Sequence, residues 1–107
     1  MANEASTGVQ FHSTLGTPEM ATRLGRGMRE FHWRLHDSDQ YSYYYVAGKR
    51  TDGLTIKIAP EDEADEYYLG VYFADMAVFP APEARLAMAQ QVHRDVLPIV
   101  EGVRKAS

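Results

Sequence analysis

FHWRLHDSDQYSYYYVAGKRTDGLTIKIAPEDEADEYYLGVYF, residues 31–73, is the stretch that decides the fold of this chain. Within it Phe31, Trp33 and Leu35 alternate with His32, Arg34 and His36, and Leu54, Ile56 and Ile58 alternate with Thr55 and Lys57. Leu69, Val71 and Phe73 then alternate with Tyr68, Gly70 and Tyr72. A period of two sends successive side chains to opposite faces of a pleated strand, so one face is buried and the other meets solvent. Tyr41 to Gly48, aromatic and branched, supplies a further strand. Turn-forming clusters separate the runs: Asp37-Ser38-Asp39-Gln40, the Asp-Gly of Lys49 to Gly53, and the acidic loop of residues 60–66. The stretch is therefore predicted to be an antiparallel meander. A competing reading takes Met28, Phe31 and Leu35 as the face of a helix through residues 29–36; Gly25 and Gly27 favour the strand.

Before the meander, Thr17-Pro18-Glu19 opens a helix, with Thr17 placed to cap it, Pro18 at its first position, and Met20 and Leu24 at i,i+4 spacing. After it, Asp75 to Phe79 is a candidate extension of the sheet, and Pro80-Ala81-Pro82-Glu83 opens a long helix. Leu86, Ala89, His93, Val96, Val100 and Val103 form its apolar stripe, and Pro98 is expected to kink or split it. The fold class that follows is α+β: a two-layer domain in which an antiparallel four- or five-stranded meander carries an N-terminal helix and a long C-terminal helix on one face. Residues 1–107 make a single domain, with 1–7 a flexible polar tail.

Composition narrows the function. No apolar run approaches the roughly 20 residues of a membrane span, and residues 1–16 lack a leader's basic start and apolar core, so a cytoplasmic protein is expected. The chain has no cysteine, which removes disulfides and thiolate chemistry. Net charge is −4, and residues 51–107 carry ten of the fifteen acids, with Glu61, Asp62, Glu63, Asp65 and Glu66 clustered. Such a cluster repels a phosphate backbone, so nucleic-acid binding is not expected.

All seven tyrosines lie between Tyr41 and Tyr72. If the loop 37–40 joins neighbouring strands, His36 faces Tyr41, Arg34 faces Tyr43 and His32 faces Tyr45, while Phe31 lies beside Val46 and Trp33 beside Tyr44. The next hairpin sets Val46 beside Ile56 and Tyr44 beside Ile58. One face is then apolar. The other gathers His32, Arg34, His36, Tyr41, Tyr43, Tyr45, Thr55, Lys57, Tyr68 and Tyr72 as a candidate binding surface. Half-exposed tyrosines suit strands for structural reasons alone, but tyrosine and arginine also enrich recognition surfaces.

Other chemistry finds little foothold. His32 and His36 share a side, yet no third metal ligand is fixed nearby, so no metal is expected. The acidic loop lacks the spacing of a calcium-binding loop, and His93 fits a core or interface position. Phosphate-binding glycine motifs, nucleophile elbows and zinc-protease motifs are absent from the sequence, and nothing in it calls for a cofactor. The expected function is a small non-catalytic binding protein, such as an adaptor, inhibitor, immunity-type neutraliser or chaperone, that uses the tyrosine-rich face for a protein partner or for self-association as a homodimer. The alternative is a small-molecule-binding or enzymatic domain with a pocket lined by Tyr, His and Arg.

Overall fold

A computed structural model describes residues 7–38, 43–73 and 81–101. In chain order these form β1 (Thr7–His12), α1 (Thr17–Gly27), β2 (His32–Ser38), β3 (Tyr43–Lys49), β4 (Leu54–Pro60), β5 (Glu66–Phe73) and α2 (Pro82–Val100). The strands make one antiparallel sheet in the order β1-β5-β4-β3-β2. The meander β2 to β5 is as its alternation predicts, and residues 32–38 are strand, not helix. The fifth strand among the described residues is β1, which pairs with β5; the candidate strand Asp75–Phe79 lies outside the described residues.

Both helices pack on one face of the sheet. Met20 and Leu24 of α1 and Ala89, Val92, Val96 and Val100 of α2 share one core with Val46, Leu54, Ile56, Ile58, Leu69 and Val71. Full burial of each branched side chain contributes about 1.5–3 kcal/mol, so this layer carries the fold. Helix α1 lies against β2 and β3, and α2 against β1 and β5. None of the described helices is long and apolar enough to cross a membrane.

Several local expectations are corrected. The N-cap of α1 is Gly16 and not Thr17, whose residue is buried, and the helix continues through Gly25 to Gly27. Helix α2 is unbroken through Pro98, which lies in its last turn and costs a single backbone donor there. Its buried stripe runs Arg85, Ala89, Val92, Val96 and Val100, turned from the predicted one so that Leu86 is 48% exposed and His93 half-buried; Val103 lies outside the described residues. The carbonyl of Val100 accepts a hydrogen bond from the buried Ser13 hydroxyl at 2.6 Å, and this ties the end of β1 to the end of α2.

The hairpin registers also differ from prediction. His36 faces Tyr45, Arg34 faces Ala47, His32 faces Lys49, and Trp33 faces Gly48; Val46 faces Ile58. The first hairpin is offset by four and the second by two. Both offsets are even, so every side chain keeps the face that alternation assigned to it. In the second turn Gly53 donates to the Arg50 carbonyl at 3.0 Å and Arg50 to the Leu54 carbonyl at 2.9 Å, with Gly53 at φ 95°. This is a three-residue loop closed by a left-handed glycine, one of the common hairpin connections.

The sheet is not continuous along its length. Strand β3 pairs with β4 only from Val46 to Lys49, whereas Tyr43, Tyr44 and Tyr45 pair with β2 alone. Beyond Val46 the β2–β3 hairpin therefore projects as a two-stranded arm. Leu35 and Tyr44 sit on its helix side beyond the helix layer, 38% and 51% exposed.

Candidate functional site

No described element covers the sheet face opposite the helices. Alternation assigns to it His32, Arg34 and His36 from β2, Tyr45, Ala47 and Lys49 from β3, Thr55 and Lys57 from β4, and Tyr68 and Tyr72 from β5. All but Tyr68 line a concavity of about 640 Å³, to which Phe73 also contributes at one end. Its floor is the β2–β5 portion of the sheet.

Two tyrosines hold one cation. The Lys57 ammonium stands 5.8 Å from the ring centroids of both Tyr45 and Tyr72, and each such contact contributes about 0.5–1 kcal/mol at an exposed site. His36 stacks on Tyr45 with centroids 5.1 Å apart and planes 16° from parallel. The Tyr72 ring folds back along its own strand over Gly70, where a Cβ atom would come within 2.5 Å of the tyrosine hydroxyl oxygen, so glycine at 70 makes room for the ring. Burial, helped by nearby Tyr68, raises the Tyr72 phenol above the usual tyrosine range.

Among the described residues no carboxylate lines the concavity. The ion pairs among the described residues are His12–Glu66 at 3.2 Å, Arg23–Glu19 at 3.0 Å and Arg50–Asp52 at 2.7 Å, and none involves Arg34, Lys49 or Lys57. In a chain of net charge −4 this is a local field of opposite sign to the whole. The acids lie elsewhere: Glu66 pairs with His12, Glu61 accepts from Gln10 at 3.3 Å, and Asp62, Glu63 and Asp65 are exposed.

Of the residues predicted to form the site, His32, Arg34, His36, Tyr45, Lys57 and Tyr72 meet at the concavity. Tyr68 shares the face but lies over Gly8, towards the β1 margin. Tyr43 continues β3 into the arm, and Tyr41 lies outside the described residues. Sequence reasoning missed Lys49, which it placed in a turn; the parity of Tyr43, Tyr45 and Ala47 carried one residue pair further would have found it. Among the described residues no cluster of three His, Asp or Glu side chains is placed to hold a metal ion. No family model, curated protein or solved structure matches the chain.

Proposed function

We propose that this is a small non-catalytic binding protein that receives an anionic protein partner on the cationic, tyrosine-bearing face of its sheet. The observation that carries the reading is the concavity in which, among the described residues, Arg34, Lys49 and Lys57 converge without a carboxylate partner. Grouped like charges cost the free protein energy, and an incoming acidic surface converts that cost into attraction and faster encounter. Tyr45 and Tyr72 add rigid contact area while fixing Lys57. Self-association comes second, because stacking two copies through this face sets Lys57 and Arg34 against their own counterparts. A cytoplasmic setting accords with the reading, since a cysteine-free chain asks nothing of an oxidising compartment.

The test is site-specific photo-cross-linking from position 47, on the floor of the concavity, in cells producing either the wild type or an Arg34→Glu, Lys49→Glu, Lys57→Glu variant. The captured protein is then purified and re-bound in isolation. The expected result is a discrete protein adduct that the variant loses and that reconstitutes in vitro. Adducts identical in both would sink the proposal.

A second reading has its own support: a concavity of about 640 Å³ falls within the range that drug-sized ligands fill, about 300–1,000 Å³. In that reading the occupant is a small organic anion, retained by the wild type and absent from the variant in native mass spectrometry.

A further inference from the structure

The concavity is bounded on one side by β2, the last strand of the sheet. Its seven residues contain no proline, glycine or lysine and pair with β3 in unbroken register, so neither a proline nor a bulge interrupts this edge, whose charged side chains are Arg34 and Asp37. Among the described residues, the backbone hydrogen bonds of His32 to Ser38 go to β3 and to no other element. The outward amides and carbonyls form an open template for one more strand.

Side chains along this edge specify what that strand carries. His32, Arg34 and His36 point to the cationic face, whereas Trp33 and Leu35 point to the helix side, where Leu35 is 38% exposed. Directly opposed residues in paired strands interact across the same face, and opposite charges or apolar pairs are favourable while like charges are not. A segment with acids facing His32, Arg34 and His36, whose ring N–H and guanidinium groups donate to them, and apolar residues facing Trp33 and Leu35 satisfies these five positions. The pattern acid-apolar-acid-apolar-acid is the same read in either direction, so it holds for parallel and antiparallel docking.

A second copy of β2 does not satisfy it. Antiparallel pairing of two copies in a continuous sheet keeps equivalent faces together, which sets the two Arg34 side chains directly opposite one another or, in the neighbouring registers, on the diagonal. From this charge complementarity we infer that the β2 edge docks, by strand addition, an extended segment of the partner in which acidic and apolar residues alternate. The inference rests on the functional reading above and names the part of the partner that the face receives.

Trp33, the single tryptophan of the chain, lies on this edge and reports docking through its emission. The experiment titrates the full chain with a peptide alternating glutamate and valine, matched to the seven residues of β2. Three comparison peptides have the same composition in two blocks, lysine in place of glutamate, or N-methylated backbone amides. The expected result is a Trp33 shift with the alternating peptide, about tenfold weaker binding of the block and N-methylated forms, and no binding of the lysine form. Arg34→Glu, at an exposed position, should weaken binding by about tenfold with the circular dichroism spectrum unchanged.

Equal binding of all glutamate peptides, lost in Lys57→Glu and without a Trp33 shift, overturns edge docking and leaves the cationic face as the site. Equal binding to wild type and to the triple charge-reversed variant overturns both. No binding of the alternating peptide overturns edge docking, and the cross-linking result then judges the face by itself.

Discussion

The two margins of the sheet treat their charges in opposite ways. At the β1 margin, His12 is paired with Glu66 and Gln10 with Glu61, so polar groups are satisfied within the chain. From the central strand to the β2 margin, Lys57 of β4, Lys49 of β3 and Arg34 of β2 have no carboxylate partner among the described residues, and it is aromatic rings that steady Lys57. Both margins belong to one antiparallel sheet with the same core beneath it, so stability does not account for the difference. Charge that the fold leaves uncompensated is the better guide to function than charge that it pairs.

The largest effect should come from reversing the uncompensated set. The Arg34→Glu, Lys49→Glu, Lys57→Glu variant is expected to lose about a hundredfold in affinity for polyglutamate, measured by calorimetry at about 0.15 M salt, because three exposed attractions become three repulsions. His12→Glu at the other margin should change it by less than about twofold. Comparable losses at both margins would erase the distinction drawn here.

The margins should also differ in how they tolerate bulk. A Cβ atom at Gly48 would come within 2.5 Å of the Trp33 ring, and that ring is fixed by its Nε1–H donating to the Met28 carbonyl at 2.9 Å. Gly48→Ala is expected to cost about 2 kcal/mol in urea denaturation. At Gly8 the obstacle is the tip of Tyr68, a half-buried side chain free to swing, so Gly8→Ala should cost less than about 1 kcal/mol. A reversed order would mean that Trp33 is the more mobile of the two rings.

Smaller again is the contribution of the turn beside the β2 margin. Hydrogen bonds from Arg50 at 3.0 and 2.7 Å hold the Asp52 carboxyl below the usual carboxylate range. Because the folded-state pKa is depressed, the stability that Asp52 adds is present above about pH 4 and lost as pH falls through the lowered value. Asp52→Asn should cost up to about 1 kcal/mol at neutral pH and flatten the acid limb of the stability profile. The weakest effect is alkaline. Burial raises both Tyr67 and Tyr72, so the neutral phenols stabilise the fold below about pH 10 and this is lost as pH rises through their raised values. Tyr72→Phe should remove one late-ionising phenol from the ultraviolet titration.

Much of this architecture was legible in residues 31–73 because alternation is a local property. It survived register offsets of four and two, since an even slip leaves Ile56, Ile58 and Val46 inside and Lys57 and Tyr45 outside. The registers themselves depended on where each turn closes. The Asp-Gly at 52–53 announced a turn, but the extra left-handed residue that shifts its centre is a tertiary outcome. Strand β1 was illegible for a different reason: TGVQFH is short, and it becomes a strand by pairing with β5 about sixty residues later.

The β2–β3 arm beyond Val46 has a thermodynamic consequence of its own. A two-stranded ribbon is marginally stable in isolation, and this one has no backbone pairing to β4 at Tyr43, Tyr44 and Tyr45. Its amides should exchange with solvent deuterium through local opening, well before those of Val46 to Lys49, which open with the core. The arm and the core are then separate cooperative units. A partner seated on the arm would be read out as slowed exchange there, with the melting of the core scarcely altered.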